Sequence, residues 1–131
     1  MRISVFIILF FILFAAAISG CLSDVDKPAA NMLEPRENSD AGIKIIIKYL
    51  PDTVEATAFE LKVTAHQNYN DDFLNNSYLR DPGGNTYKPV SYEGSKGHHA
   101  IGTLKFPKIE SNSFELVIMD VSGVKERVFK W

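Results

Sequence analysis

One cysteine, one tryptophan and three histidines occur in 131 residues, and each scarcity removes a class of explanation. A lone Cys21 forbids an intrachain disulfide framework and any multi-cysteine metal site, so the domain has to fold on packing and hydrogen bonds alone. Basic residues do not outnumber acidic ones: 14 against 16 gives a net charge of −2, with no basic stripe to exchange for phosphate counterions. That excludes a nucleic-acid partner. No window carries a sustained 3.6-residue apolar stripe, which argues against a helical domain. No Ser-His-Asp order and no Gly-x-Ser-x-Gly elbow appears, so the chain reads as a non-enzyme.

The one long hydrophobic run extends from Ile3 to Ala17 behind a single Arg2 and ends in Ile18-Ser19-Gly20-Cys21. A charged start, an apolar middle and small residues before the break form a secretory signal, here residues 1–20. The cysteine placed directly after Ser-Gly makes the site a lipobox, with Cys21 as the lipidated first residue of the mature chain. A retained membrane-spanning anchor is the alternative, since the run lies near the lower limit of about 17 residues for crossing the hydrocarbon core. Both readings put the remainder outside the cytoplasm, and the first makes it a lipid-anchored protein of the cell membrane. A diacylglyceryl group supplies two chains, which is what stable anchoring requires. Loss of Arg2 with the signal leaves 13 basic against 16 acidic residues, a net charge of −3.

Residues 21–42 mix Ser, Asp, Asn, Glu and two prolines with little apolar periodicity, which predicts an extended, mobile tether. From Ile43 the period becomes two. Ile43, Ile45, Ile47 and Tyr49 share one face while Lys44 and Lys48 take the other; Phe59, Leu61, Val63 and Ala65 then alternate with Glu60, Lys62, Thr64 and His66. Further short strands are predicted at Ser77-Tyr78-Leu79, at Thr86 to Val90 with Pro89 confining it to an edge, at Ile101 to Phe106, at Phe114 to Met119 and at Val124 to Trp131. The last of these puts Arg127, Phe129 and Trp131 on one side, and Phe129 and Trp131 are expected to be buried. About seven short strands separated by turns predict an all-β, immunoglobulin-like antiparallel β-sandwich over residues 43–131, with a small open barrel as the alternative.

The segment Leu79-Arg80-Asp81-Pro82-Gly83-Gly84-Asn85-Thr86-Tyr87-Lys88-Pro89, together with Tyr92-Glu93-Gly94, Gly97-His98-His99, Gly102-Thr103-Leu104-Lys105-Phe106-Pro107 and the ending Asp120 to Trp131, resembles an uncharacterised group of prokaryotic exported lipoproteins. The resemblance implies an immunoglobulin-like domain and a place outside the cytoplasm, and it implies no activity.

The histidines are the main chemical lead. If the strand ending at His66 pairs with the one beginning near Ile101, His66 meets His98 and His99, and Asp71 and Asp72 of the intervening loop lie at the same end. Imidazole with carboxylate suits zinc or copper, which gives a metal carrier or sensor as the second functional reading. Adjacent His98 and His99 point to opposite faces of a strand, so only one of them can join such a site. Tyr69, Tyr87 and Tyr92 form a candidate aromatic platform for a sugar or peptide. The Asn68 to Asn76 stretch has the composition of a calcium loop without its spacing, and Asn75-Asn76-Ser77 is a glycosylation sequon. The leading expectation is a membrane-anchored extracytoplasmic module that binds or scaffolds a cell-envelope protein or a small ligand. Because only a thiol forms the thioether, Cys21→Ser should abolish incorporation of a radiolabelled lipid precursor, and undiminished labelling would refute the lipobox.

Overall fold

The computed structural model describes residues 31–51 and 53–131. The expected signal, Cys21 and the first part of the tether lie outside the described residues. Nine strands follow in order: β1 (Arg36–Asp40), β2 (Ile43–Leu50), β3 (Ala56–Ala65), β4 (Ser77–Arg80), β5 (Thr86–Tyr87), β6 (Ser91–Gly94), β7 (Ile101–Pro107), β8 (Glu115–Val121) and β9 (Val124–Lys130). They form two antiparallel sheets, of order β1-β2-β3-β7-β6 and β5-β4-β8-β9. The strings β2-β3-β7-β6 and β4-β8-β9 reproduce the ABED and CFG sheets of an immunoglobulin constant-type sandwich. β1 is added outside the first sheet and β5 outside the second. Among the described residues no helix is long and apolar enough to cross a membrane.

Two of the nine strands depart from the seven expected. Arg36–Asp40, expected as tether, carries no apolar side chain and pairs with β2 from Arg36↔Ile47 to Asp40↔Ile43. The sandwich therefore begins at about Arg36, not at Ile43. What makes a strand of so polar a segment is its turn: Ala41 and Gly42 have φ of 47° and 72°, the positive pair that matches the twist of a two-residue hairpin. Lys44 and Glu37 add an exposed ion pair at 2.9 Å. The second, β6, ends in Gly94, and glycine there reads as a break. It is a close approach instead, since a Cβ on Gly94 would stand 2.3 Å from the Gly102 Cα of β7.

The inward faces meet in a dry core of Ile43, Ile45 and Ile47 from β2, Phe59 and Leu61 from β3, and Leu116 and Ile118 from β8, all at most 1 % exposed. Phe59 is the hub of the aromatic packing, with ring centroids 5.2 Å from Trp131, 5.6 Å from Tyr49, 5.7 Å from Phe114 and 5.9 Å from Phe106. Tilted and edge-on rings at these separations are the favoured geometry of aromatic pairs. Phe129 is buried as expected. Trp131 is only half-buried, because it lies past the last strand pair, where Arg36 covers its outer face with the guanidinium 5.7 Å from the ring centroid.

Alternation along β9 sends Arg127 inward as well, and it is 1 % exposed. Its guanidinium reaches out of β9 to the first sheet: Nη1 donates to Asn38 Oδ1 at 2.6 Å and to Ile43 O at 3.3 Å, and Nη2 donates to Asp40 O at 3.0 Å and to Val121 O at 3.4 Å. Burial lowers its pKa, partly opposed by the Asp40 carboxylate, yet a guanidinium stays charged in proteins. Arg127→Ala should lower stability by about 3–5 kcal/mol, since four acceptors in a closed seam lose their donor together. Arg127→Lys should recover little, because one ammonium cannot span acceptors on β1, β2 and the end of β8. Urea midpoints measure both, and a loss below about 1 kcal/mol would mean that the guanidinium is dispensable.

Candidate functional site

The chain reaches the sandwich at Asn31 to Pro35 and runs up β1 to the Ala41-Gly42 turn, so the two poles are distinct. The far pole consists of that turn, the β3–β4 loop (66–76), the β6–β7 loop (95–100) and the β8–β9 turn at Ser122-Gly123. The ten residues of β3 place it about 33 Å from the pole where the chain enters. All three histidines are at the far pole, as are all three non-glycine residues of positive φ among the described ones: Ala41 (47°), Asp120 (54°) and Ser122 (54°).

The pairing on which the histidine argument depends is present. β3 and β7 are antiparallel neighbours, and beyond the ladder Ala65 N–H donates to His98 O at 2.8 Å. The five expected ligands share a pole without sharing a coordination sphere. His98 Nε2 lies 3.2 Å from Asn68 Oδ1, a bond that requires the ring proton on Nε2. Asp71 Oδ2 accepts from Gly97 N–H at 3.0 Å, and Asp72 Oδ2 accepts from Asn75 Nδ2 at 2.7 Å. His66 and His99 are exposed. No group of three or more His, Cys, Asp or Glu among the described residues is placed to hold a metal ion. The physical reason is local: an Asn- and Asp-rich loop closes on its own amides, which takes the carboxylates that a cation would need. The same network holds Asn75 Nδ2 against Asp72, with Asn75 itself exposed and Ser77 buried.

The three tyrosines separate. Tyr69 and Tyr92 flank Phe73, with centroids 6.3 Å and 5.4 Å from it, and their hydroxyls donate to Gly97 O at 2.7 Å and Ser95 O at 2.6 Å. Tyr92 lies over Gly102, where a Cβ would stand 2.6 Å from the phenol, so this ring fills the space a side chain would take. Tyr87 belongs to the other sheet, and its hydroxyl donates to Asp81 Oδ2 at 2.9 Å. These rings brace loops and present no common open platform.

Gln67 was not singled out by any sequence signal and turns out to be central. Its Nε2 donates to Ala41 O at 2.7 Å and bonds the Ser122 hydroxyl, tying a turn of one sheet to a turn of the other. With Tyr69 and Asp71 joining the β3–β4 loop to Gly97, the four connections form one braced surface. It exposes His66, Asn68, Lys96, His98 and His99. Such a surface offers hydrogen-bond donors, acceptors and imidazole rings at low ordering cost, which is what recognition by a preformed loop pole needs.

The opposite pole carries two shallow adjoining grooves, of about 390 Å³ and 530 Å³, which share Leu33, Tyr49 and Pro51. No family model, curated protein or solved structure matches the chain.

Burial, with the charge on Asp71 and Tyr92 adding to it, pushes the Tyr69 hydroxyl up to about 12. The protonated phenol is thus favoured by the folded state. Below pH 10 its contribution to stability is fully present; above that the unfolded chain ionises first, and the contribution drains away until the folded group ionises. Urea stability should therefore fall between about pH 10 and 12, and Tyr69→Phe should flatten that fall by about 1–2 kcal/mol while costing about 1 kcal/mol at neutral pH. Identical slopes in the two proteins would refute the assignment.

Proposed function

We propose that the chain is a membrane-anchored extracytoplasmic lipoprotein whose immunoglobulin-like sandwich presents its far loop pole to a cell-envelope protein or small ligand, as a binding or scaffolding module. The observation that carries this reading is the polarity of the molecule. The chain enters at one pole from the direction of Cys21, while the braced, polar, histidine-bearing loops stand at the other, about 33 Å away. A lipid on Cys21 holds the first pole near the membrane and leaves the second facing away from it. The resemblance to exported lipoproteins supports the same placement.

The bracing favours recognition, because Gln67, Tyr69 and Asp71 fix the loops before any partner arrives. A photoreactive amino acid in place of His98 should give a discrete cross-linked product in intact cells. The same group in place of Lys62, on the outer face of the larger sheet, should give none. Products from both positions, or from neither, would overturn the assignment of the binding face.

A further inference from the structure

We infer that the pole where the chain enters seats on the lipid bilayer itself, with Leu33 and Val54 dipping into the boundary between headgroups and acyl chains. This rests on the lipid-anchored reading above. Leu33 is 50 % exposed and Val54 86 %. Leu33 lines both of the adjoining grooves, and Val54 directly follows Thr53, which lines the larger of the two. Met32, Tyr49 and Ile109 extend the apolar floor between them. Leu74 and Ile101 are exposed singly at the far pole, whereas Leu33 and Val54 adjoin apolar grooves, and it is this continuity that marks a contact surface.

What favours a bilayer as the occupant is the length of chain leading to it. Nine residues lie between Cys21 and Asn31, a stretch that can span at most about 36 Å. A lipid on Cys21 therefore keeps this pole nearer the headgroups than the far pole, at high effective concentration, where a weak apolar contact suffices. Charge adds no preference: Lys48, Lys108 and Arg36 in and beside the grooves are matched by Glu34, Glu55 and Glu110. Seating should thus be driven by apolar burial, work on neutral lipid and resist salt.

The full chain, lipidated at Cys21, is to be reconstituted in phosphatidylcholine vesicles with an environment-sensitive fluorophore on Val54→Cys, the only free thiol once Cys21 is modified. Lys96→Cys on the far pole is the control. The expected result is blue-shifted emission at position 54, quenched several-fold by spin-labelled lipid and unchanged in about 0.5 M salt, with position 96 reporting water. Adding Leu33→Asp should return the position-54 probe toward water while the chain still floats with the vesicles. A position-54 probe as wet as position 96 on a chain that floats overturns the seating and leaves the anchor intact. A dry probe untouched by the lipid quencher means that a second copy or the tether covers the pole, and overturns it too. A chain that fails to float, or a Cys21→Ser chain that floats equally well, overturns the anchor and the seating together.

Discussion

Burying a full positive charge between two β-sheets is costly, and the arrangement of this sandwich is organised around making that burial tolerable. Arg127 takes a guanidinium out of water at a position where alternation allows only an inward side chain. The desolvation of such an ion amounts to several kcal/mol in a real protein unless its donors are satisfied. Here the satisfaction comes from the opposite sheet: Asn38 and Asp40 of β1 and Ile43 at the head of β2 supply three of the four acceptors. Nε alone has no partner. β1, made of Arg, Glu, Asn, Ser and Asp, has no apolar side chain with which to hold a place on the sheet. The guanidinium and the strand require each other.

That dependence also answers the problem of the open edge. β1 is the last strand of one sheet and β9 the last of the other, and each would otherwise present unpaired backbone groups as a template for association. Two arginines cross the gap in opposite senses. Arg127 leaves β9 for the carbonyl of Asp40, and Arg36 leaves β1 to donate from Nε to Lys130 O at 2.8 Å. Gln67 performs a similar office at the far end, between the turns that close β1–β2 and β8–β9. The seam is thus closed by side chains where no ladder is formed. On the other flank the edges are kept short, with two residues in β5 and four in β6, and Pro89 between them.

How much of this was legible in the sequence follows the same division. β2 and β3 were readable because alternation puts Ile43, Ile45, Ile47, Phe59, Leu61 and Val63 on one face and Lys44, Lys48, Glu60 and Lys62 on the other, with Ile46 an exception in β2, and a slip of one residue would turn the apolar set outward. The neighbourhood of His66 and His98 was readable too, since it follows from which strands pair. The directions of the imidazoles were not, because they depend on how the Asn- and Asp-rich loop spends its own hydrogen bonds. β1 was illegible for a deeper reason: strand patterns are read from apolar periodicity, and its place is fixed by a charge 89 positions later in the chain at Arg127. β6 was hidden by Gly94, whose meaning as a close approach exists only once Gly102 is beside it. Gln67 carried no signal at all, since a glutamine that bridges two turns is indistinguishable in sequence from one that is merely solvated.

The position of the arginine clips bears on the anchored reading as well. On that reading the anchor would pull on the domain at the start of β1, and a polar edge strand held only by its ladder to β2 would be peeled away from that end one residue at a time. The first residue to resist is Arg36. Its Nη2 donates to Asn31 O at 2.8 Å, its Nε to Lys130 O, and its guanidinium lies over Trp131, which is itself packed on Phe59. Load arriving along the chain is therefore divided between the β1–β2 ladder and the end of β9, and through Trp131 it reaches the aromatic hub of the core. Only if Arg36 yields does the next inward clip, Asn38 with Arg127, begin to carry it. An arrangement in which the weakest strand by composition is fastened at both ends to the opposite sheet suits a domain that is held by its N-terminal side.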